Sequence, residues 1–122
     1  MIEKGFQKPV ISVGNLEVKR DFSDVRDVVR AYHLLLQKGI PGESYNICSG
    51  RVYSIKKVLN MLLSLSNVKI KINHDPKKFR QNDTLIMKGS YEKLHKQTGW
   101  KPEIPFDKTL KDLMNCWREK IR

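Results

Sequence analysis

Cysteine is scarce in this chain, which has only two among its 122 residues. Cys48 and Cys116 lie far apart, and each falls within an apolar stretch. Two distant cysteines exclude a disulfide framework, and neither has neighbours at metal-ligand spacing. We therefore expect two buried free thiols in a reducing compartment, which favours a cytoplasmic protein.

The sequence also lacks a long hydrophobic run. Its best stretch, residues 61–65, is far too short to cross a bilayer. The first residues of the chain show no apolar core of a signal peptide. Since 39% of the residues are hydrophobic and 30% are charged, the composition predicts one soluble globular domain without a membrane partner.

Negative charge is in short supply, because 13 acidic residues stand against 24 lysines and arginines and give a formal net charge of +11. Such an excess favours an anionic partner, for example a phosphate-bearing ligand. The lysines are scattered, however, and no aromatic-interleaved platform or nucleic-acid motif is present. The sequence argues against nucleic acid, although a basic module that binds polyanions without catalysis stays open as an alternative.

Motifs of catalysis are missing as well. The seven glycines build no Gly-x-Gly-x-x-Gly turn, and the three histidines have no partners at metal-ligand spacing. Tyr53 and Lys57 formally fit a Tyr-x-x-x-Lys acid pair. Tyr53 precedes Ser54, the predicted cap of a helix, so the two side chains would not share a helical turn. We predict no catalytic residue, metal ligand or cofactor site within this chain.

The patterns that are present alternate between strands and helices. Apolar residues predict strands over 9–13, 44–48 and 68–72. Helices are predicted from Asp24 to Lys38, with Ser23 or Asp24 as the cap, then after Ser54, over 91–97 and from Pro105. Together these elements predict an α/β fold. The inner face predicted for the first helix consists of Val25, Val28, Val29, Tyr32, Leu35 and Leu36.

A polar segment, residues 73–83, is a candidate binding loop. It contains Arg80 and Asp83, while Arg20 lies at the junction between the first strand and the first helix. Two guanidiniums on converging segments would hold a pyrophosphate, because their planar forks match phosphate oxygens. An adjacent aspartate can accept hydrogen bonds from ribose hydroxyls.

Several motifs follow one another in order, namely Gly14-Asn15-Leu16-Glu17, Arg20-Asp21-Phe22, Asp24-Val25-Arg26-Asp27-Val28-Val29, Tyr45-Asn46-Ile47-Cys48-Ser49-Gly50 and Thr98-Gly99-Trp100-Lys101-Pro102. In this series the chain resembles the C-terminal part of extended short-chain dehydrogenase/reductases that act on nucleotide sugars. The likeness is greatest to the GDP-mannose branch, which contains GDP-4-dehydro-6-deoxy-D-mannose reductases and GDP-mannose 4,6-dehydratases. Phe22 is more similar to the reductases, since dehydratases more often have tryptophan there.

The resemblance implies that the chain binds a nucleotide diphosphate sugar. Arg20 and Arg80 would hold the diphosphate from two sides, and Asp83 would bind the ribose. The turn that starts at Gly14 would lie beside the nucleotide. The implied substrate-binding residues are Gly14, Asn15, Leu16, Arg20, Arg80 and Asp83.

The resemblance also implies a fold and a partner. The fold would be the C-terminal part of an extended, Rossmann-type α/β enzyme, with helices and a few short, mainly parallel strands. Residues 1–122 would form one substrate-binding portion, in which 9–50 partly complete a Rossmann sheet and 51–122 form a small substrate lobe. In such enzymes an N-terminal domain, in cis or in trans, binds NADP or NAD and carries the catalytic residues.

Overall fold

Strands and helices are interspersed along the chain, as expected of an α/β fold. The computed structural model describes residues 1–121. In chain order the elements are β1 (Val10–Val13), β2 (Lys19–Asp21), α1 (Val25–Lys38), β3 (Val52–Ser54), α2 (Ile55–Ser64), β4 (Lys71–His74), α3 (Glu92–Thr98) and α4 (Phe106–Lys120), with short 3-10 turns at Ile2–Lys4 and Pro76–Lys78. The predicted fold class is confirmed.

Two small sheets join early strands to late ones. β1 pairs in parallel with β4, so that Val10 lies opposite Lys71. β2 pairs with β3 in the antiparallel sense, with Arg20 opposite Tyr53. The second sheet was not predicted, because the Lys-Arg-Asp sequence of β2 has no alternation of apolar and polar residues. Both sheets connect residues before position 50 with residues after it.

Capping side chains determine where helices α1 and α2 begin. The Asp24 carboxylate accepts a hydrogen bond from the Arg26 amide at 2.9 Å and begins α1. The Ser54 hydroxyl accepts one from the Lys57 amide at 3.1 Å and begins α2. At the other end of α1, the Gly39 amide donates to the Leu35 carbonyl. The predicted boundaries of α1 are therefore confirmed, with Asp24 rather than Ser23 as the cap.

The core lies between α1, α3 and the corner that follows α3. Ala31, Leu94 and Trp100 are fully buried and form one cluster. The Trp100 indole nitrogen donates to the Asp27 carbonyl at 2.9 Å, so the largest buried side chain is also satisfied as a donor. The partly buried residues around this cluster are Leu34, Leu35, Tyr45, Ile47 and Tyr91.

Helix α1 turns a different face to the core than the apolar pattern predicts. Leu36 is 89% exposed, and Val25, Val29 and Tyr32 are each more than half exposed. Ala31 and the buried carboxylate side chain of Asp27 face the core instead. The predicted inner face was therefore wrong for four of its six residues. Two of the six, Val28 and Leu35, are partly buried.

The strand predicted over Ser44–Cys48 is absent. This segment makes no backbone hydrogen bond to any residue in 1–121, and a strand requires a paired backbone. Tyr45 and Ile47 nevertheless pack against the core cluster, while Asn46 between them is exposed. The side chains thus alternate between buried and exposed as in a strand, but no neighbouring strand within residues 1–121 pairs with the backbone.

The two cysteines differ in exposure. Cys48 is half-buried, and burial raises the pKa of its thiol. Cys116 is exposed on α4, so the expectation that both thiols are buried was wrong for Cys116. Across the part of the chain that the structure describes, no helix is both long enough and apolar enough to traverse a bilayer.

Candidate functional site

Strand β2 brings Arg20 against the loop that contains Asp83. Arg20 Nη2 lies 2.6 Å from Asp83 Oδ1, and the two side chains are 24% and 23% exposed. Arg20 Nη1 donates to the carbonyls of Lys19 at 2.8 Å and Thr84 at 2.7 Å. The two segments that sequence analysis left unconnected therefore meet at this guanidinium.

Backbone hydrogen bonds hold the same loop beside β2. The Lys19 amide donates to the Leu85 carbonyl at 2.7 Å, and the Met87 amide donates to the Lys19 carbonyl at 3.0 Å. These two bonds form a parallel bridge between Lys19 and Ile86. The position of Asp83 relative to Arg20 thus rests on main-chain contacts as well as on the ion pair.

Arg80 lies three residues before Asp83 and differs from Arg20 in its surroundings. Its side chain is exposed and makes no hydrogen bond or ion pair with residues 1–121. Its charge is therefore available to an anion, whereas Arg20 is held between a carboxylate and two carbonyls. The arrangement combines a fixed guanidinium on β2 with an unrestrained guanidinium on the loop that contains Asp83.

The turn after β1 borders a cavity of about 310 Å³. Gly14, Asn15 and Leu16 line it together with residues of α2 and of the segment after β4. A Cβ atom at Gly14 would lie 2.6 Å from the Lys78 carbonyl oxygen, so only glycine allows this close approach. Asn15 Oδ1 accepts from the Glu17 amide at 3.0 Å and fixes the turn.

Two aspartates outside the expected substrate-binding set, Asp21 and Asp27, bind backbone amides through their carboxylates. The Asp21 carboxylate accepts from the amides of Ser49 and Gly50, both at 2.8 Å. Asp27 is buried, with 3% of its surface exposed, and its carboxylate accepts hydrogen bonds from the amides of Glu103 and Ile104, both at 3.1 Å. The sequence carries no local signal for either role, because the accepted amides lie 28 or more positions further along the chain.

Asp24 is buried and forms an ion pair with Arg26 in addition to capping α1. Arg26 donates to it through Nε at 2.9 Å and Nη2 at 2.8 Å, and the Thr109 hydroxyl donates at 2.7 Å. The Arg26 hydrogen bonds are the main reason that the pKa of Asp24 lies far below its usual value. This carboxylate fastens the start of α1 to α4.

Tyr53 and Lys57 do not form an acid pair for catalysis. Tyr53 lies in β3, and its ring stacks on Phe106 with centroids 4.6 Å apart. The Lys57 ammonium lies 5.4 Å from the centroid of the Tyr53 ring, which is a cation–π contact. The turn at Gly14 leads into β2 rather than into a helix, so it does not fit a dinucleotide pyrophosphate. Neither this turn nor the Tyr53–Lys57 pair fits a nicotinamide cofactor.

Comparison with known proteins gives consistent matches. A family model described as GDP-mannose 4,6 dehydratase matches residues 1–113. GDP-6-deoxy-D-mannose reductase of Pseudomonas aeruginosa is 36% identical over 121 residues, covering 99% of this chain and 40% of the relative. GDP-mannose 4,6 dehydratase of Cricetulus griseus is 27% identical over 135 residues, covering 95% of this chain and 36% of the relative.

A solved structure matches the fold closely. RMD from Pseudomonas aeruginosa, complexed with NADPH, has a TM-score of 0.90 and 35% sequence identity. The match covers 98% of this chain and 39% of that one. The chain therefore spans less than half of the length of the proteins it matches.

Proposed function

The chain belongs to the GDP-mannose 4,6-dehydratase family of extended short-chain dehydrogenase/reductases, and we propose that it binds the nucleotide-sugar substrate of a GDP-4-dehydro-6-deoxy-D-mannose reductase. The observation that carries the proposal is the 2.6 Å contact between Arg20 Nη2 and Asp83 Oδ1. It supports one site built from β2 and the 80–83 loop, as a diphosphate held from two sides requires.

The hydrogen-bonding capacity of Arg20 suits a diphosphate. A guanidinium has five N–H donors, and Arg20 uses three of them, towards Lys19, Thr84 and Asp83. Two donors remain for phosphate oxygens, while Arg80 contributes a second positive charge from the loop. Charge-assisted hydrogen bonds of this kind are the strong ones in phosphate recognition.

Asp83 is suited to the ribose of the same nucleotide. Only its Oδ1 accepts a hydrogen bond within residues 1–121, from Arg20. Its Oδ2 keeps its acceptor capacity for a ribose hydroxyl.

Two features favour the reductase over the dehydratase. The reductase relative is 36% identical and the dehydratase relative is 27% identical over similar shares of the chain. Phe22, which occupies the position where dehydratases more often have tryptophan, stacks on Phe106 with centroids 5.4 Å apart. A portion of a GDP-mannose 4,6-dehydratase is the second candidate.

The expected N-terminal domain would cover two surfaces that this chain leaves open. One is the apolar stripe on α1, consisting of Val25, Val29, Tyr32 and Leu36, which is mostly exposed. The other is the unpaired backbone of 44–48. A sheet edge placed beside 44–48, with α1 on its face, would bury both. We assign NADP or NAD and the catalytic residues to that domain.

The test is a titration of the isotope-labelled chain with GDP-mannose, followed by amide NMR. We expect shifts confined to residues around Arg20, the 14–16 turn and the 80–83 loop. Arg80→Ala should weaken binding about tenfold or more, because a charge-assisted hydrogen bond is lost. Lys111→Ala removes an exposed charge from α4 and is the matched control.

A dispersed spectrum that GDP-mannose does not move would contradict the proposal. Affinity for any polyanion that falls steeply with salt and ignores the base would instead favour the basic-module alternative.

A further inference from the structure

Another cavity, of about 250 Å³, opens between the start of α1, the 49–53 segment and the corner at 101–105. None of the expected substrate-binding residues lines it. Successive side chains of a strand point to opposite faces, so Asp21, which binds the amides of Ser49 and Gly50 beside this cavity, points away from Arg20. The cavity is therefore separate from the diphosphate site.

The buried carboxylates that line this cavity have little acceptor capacity left. Asp24 accepts four hydrogen bonds, three from Arg26 and one from the Thr109 hydroxyl, and these occupy both of its oxygens. Asp27 accepts from the Arg30 guanidinium and from two backbone amides of the corner. Each carboxylate also has an arginine that balances its charge. A ligand of this cavity therefore has to supply acceptors rather than donors.

Four donor side chains of the lining, in contrast, have no hydrogen-bond or ion-pair partner within residues 1–121, namely Arg51, Tyr53, Tyr91 and Lys101. Among the described residues every fully buried side-chain nitrogen or oxygen has a partner, so the donor atoms of these four are open to solvent. Glu103, the remaining acidic residue of the lining, lies 3.6 Å from Arg30. The charges of Arg51 and Lys101 are thus not balanced by a carboxylate of the cavity.

The rings of the two tyrosines hold their hydroxyl groups in place. Tyr53 stacks on Phe106, as described above. Tyr91 meets Trp100 edge to face, with centroids 5.5 Å apart and planes at 85°. A Cβ atom at Gly50, where φ is +73°, would lie 3.2 Å from Tyr91 Cε1, so the backbone also packs closely against this ring. Donors on fixed rings lose little conformational freedom when an acceptor binds.

We propose that this cavity binds a small oxyanion, namely a phosphate group that is either free or esterified to a small alcohol. A guanidinium matches two phosphate oxygens in a bidentate pair, which is the role of Arg51. The hydroxyls of Tyr53 and Tyr91 donate to the same anion. The cavity is smaller than about 300 Å³, the lower end of small-molecule sites, so an anion of a few atoms suits it and a nucleotide does not. The inference does not depend on the proposed function.

The experiment titrates the isotope-labelled 122-residue chain with inorganic phosphate and, separately, with glycerol 3-phosphate, at an ionic strength kept constant with sodium chloride. We expect saturable amide shifts at Ser23, Arg51 and Tyr91, with a dissociation constant of about 1 mM or below. Arg51→Gln should weaken this binding about tenfold, because a charge-assisted pair is lost. Tyr53→Phe keeps the ring that stacks on Phe106, removes one donor and should weaken binding about threefold.

Two further variants separate this cavity from other sources of anion attraction. Arg80→Ala removes the unrestrained guanidinium of the diphosphate site and should leave the shifts around Arg51 unchanged. Lys111→Ala removes one exposed charge from α4 and should leave them unchanged as well, since a bound anion depends on particular donors and not on the net charge of +11.

Binding of either anion at the cavity supports the proposal, and the tighter of the two identifies the source as free phosphate or an ester. If neither anion moves these amides, or if the shifts grow linearly over the whole basic surface, the inference is overturned. It is also overturned if Arg51→Gln and Tyr53→Phe give dispersed spectra and bind both anions as tightly as the natural chain does.

Discussion

Glu3 joins three parts of the molecule through one carboxylate. It accepts from Arg118 at two nitrogens, both at 2.7 Å, and from the Asn67 amide at 2.9 Å. These contacts lower the pKa of Glu3 from 4.5 to about 2, with the Arg118 hydrogen bonds as the main cause. The first turn of the chain is thereby fixed to α4 and to the loop after α2.

The pKa of Glu3 predicts a stability effect in acid. The folded-state pKa lies below the unfolded one, so the ionised carboxylate stabilises the fold above pH 4.5. That stabilisation is lost progressively as the pH falls from 4.5 towards 2. Glu3→Gln should therefore be less stable than the natural chain at neutral pH, and the difference should shrink in acid. Urea unfolding at a series of pH values measures it.

Glu119→Gln, at an exposed position on α4, serves as the control and should follow the natural chain at every pH. A difference between Glu3→Gln and the natural chain that stays constant with pH would mean that charge is not how Glu3 stabilises the fold.

Single residues also show where sequence reasoning succeeds. The cap at Asp24 and the end of α1 at Gly39 follow from local backbone chemistry, and both are confirmed. The roles of Asp21 and Asp27 depend on amides far along the chain, near residues 49 and 103, so no local pattern indicates them.

Within α1, the core contact belongs to the smallest side chain. Ala31 is 0% exposed and Leu36 is 89% exposed, although leucine is the more hydrophobic of the two. Ala31→Leu should lower the free energy of unfolding by about 1–3 kcal/mol, because a packed core does not accept extra methylene groups without strain. Leu36→Glu should change it by less than about 0.5 kcal/mol, because the position is on the surface and both residues form helices well.

Urea unfolding of both variants tests which face of the helix is buried. If Leu36→Glu instead lowered the free energy of unfolding more than Ala31→Leu, the buried face of α1 would be the one that the apolar pattern predicts.

The apolar stripe explains why the helical pattern gave the wrong face. Under the proposal that an N-terminal domain covers this stripe, the apolar spacing indicates a surface that the larger enzyme buries and this chain leaves exposed. The same reasoning applies to 44–48, whose alternation is that of a strand while its backbone lacks a partner. The prediction missed strand β2 for the opposite reason. Backbone pairing with β3 and with Ile86 makes this segment a strand, although its sequence has no apolar alternation.

At the scale of the whole molecule, the net charge of +11 means that the positively charged side chains repel one another and destabilise the folded state. Added sodium chloride should therefore raise the urea midpoint from its value at low ionic strength, since screening weakens long-range repulsion more than short ion pairs. Arg80→Ala, measured in the same way, separates general screening from binding of an anion at the proposed site. A midpoint that falls with salt would mean that ion pairs such as Glu3–Arg118 outweigh the repulsion.

The site as a whole was only partly predictable. Arg20, Arg80 and Asp83 were singled out because guanidinium and carboxylate chemistry suits a diphosphate and a ribose. The contact between Arg20 and Asp83 was not predictable, because it depends on the bridge between Lys19 and Ile86, which links segments that are distant in sequence. The roles proposed for these residues stay predictions until a ligand is bound.

The pairing of early strands with late ones has a consequence for how the chain folds. β1 pairs only with β4, and β2 pairs with β3. The Asp27 carbonyl accepts its hydrogen bond from Trp100, so each of these early segments needs a partner from later in the chain. Few contacts can therefore form while only the first third of the chain is available, and loop closure must precede most of the stabilisation. We therefore expect folding to be cooperative and to need nearly the whole chain. A destabilising change near the C-terminus should also destabilise the N-terminal strands.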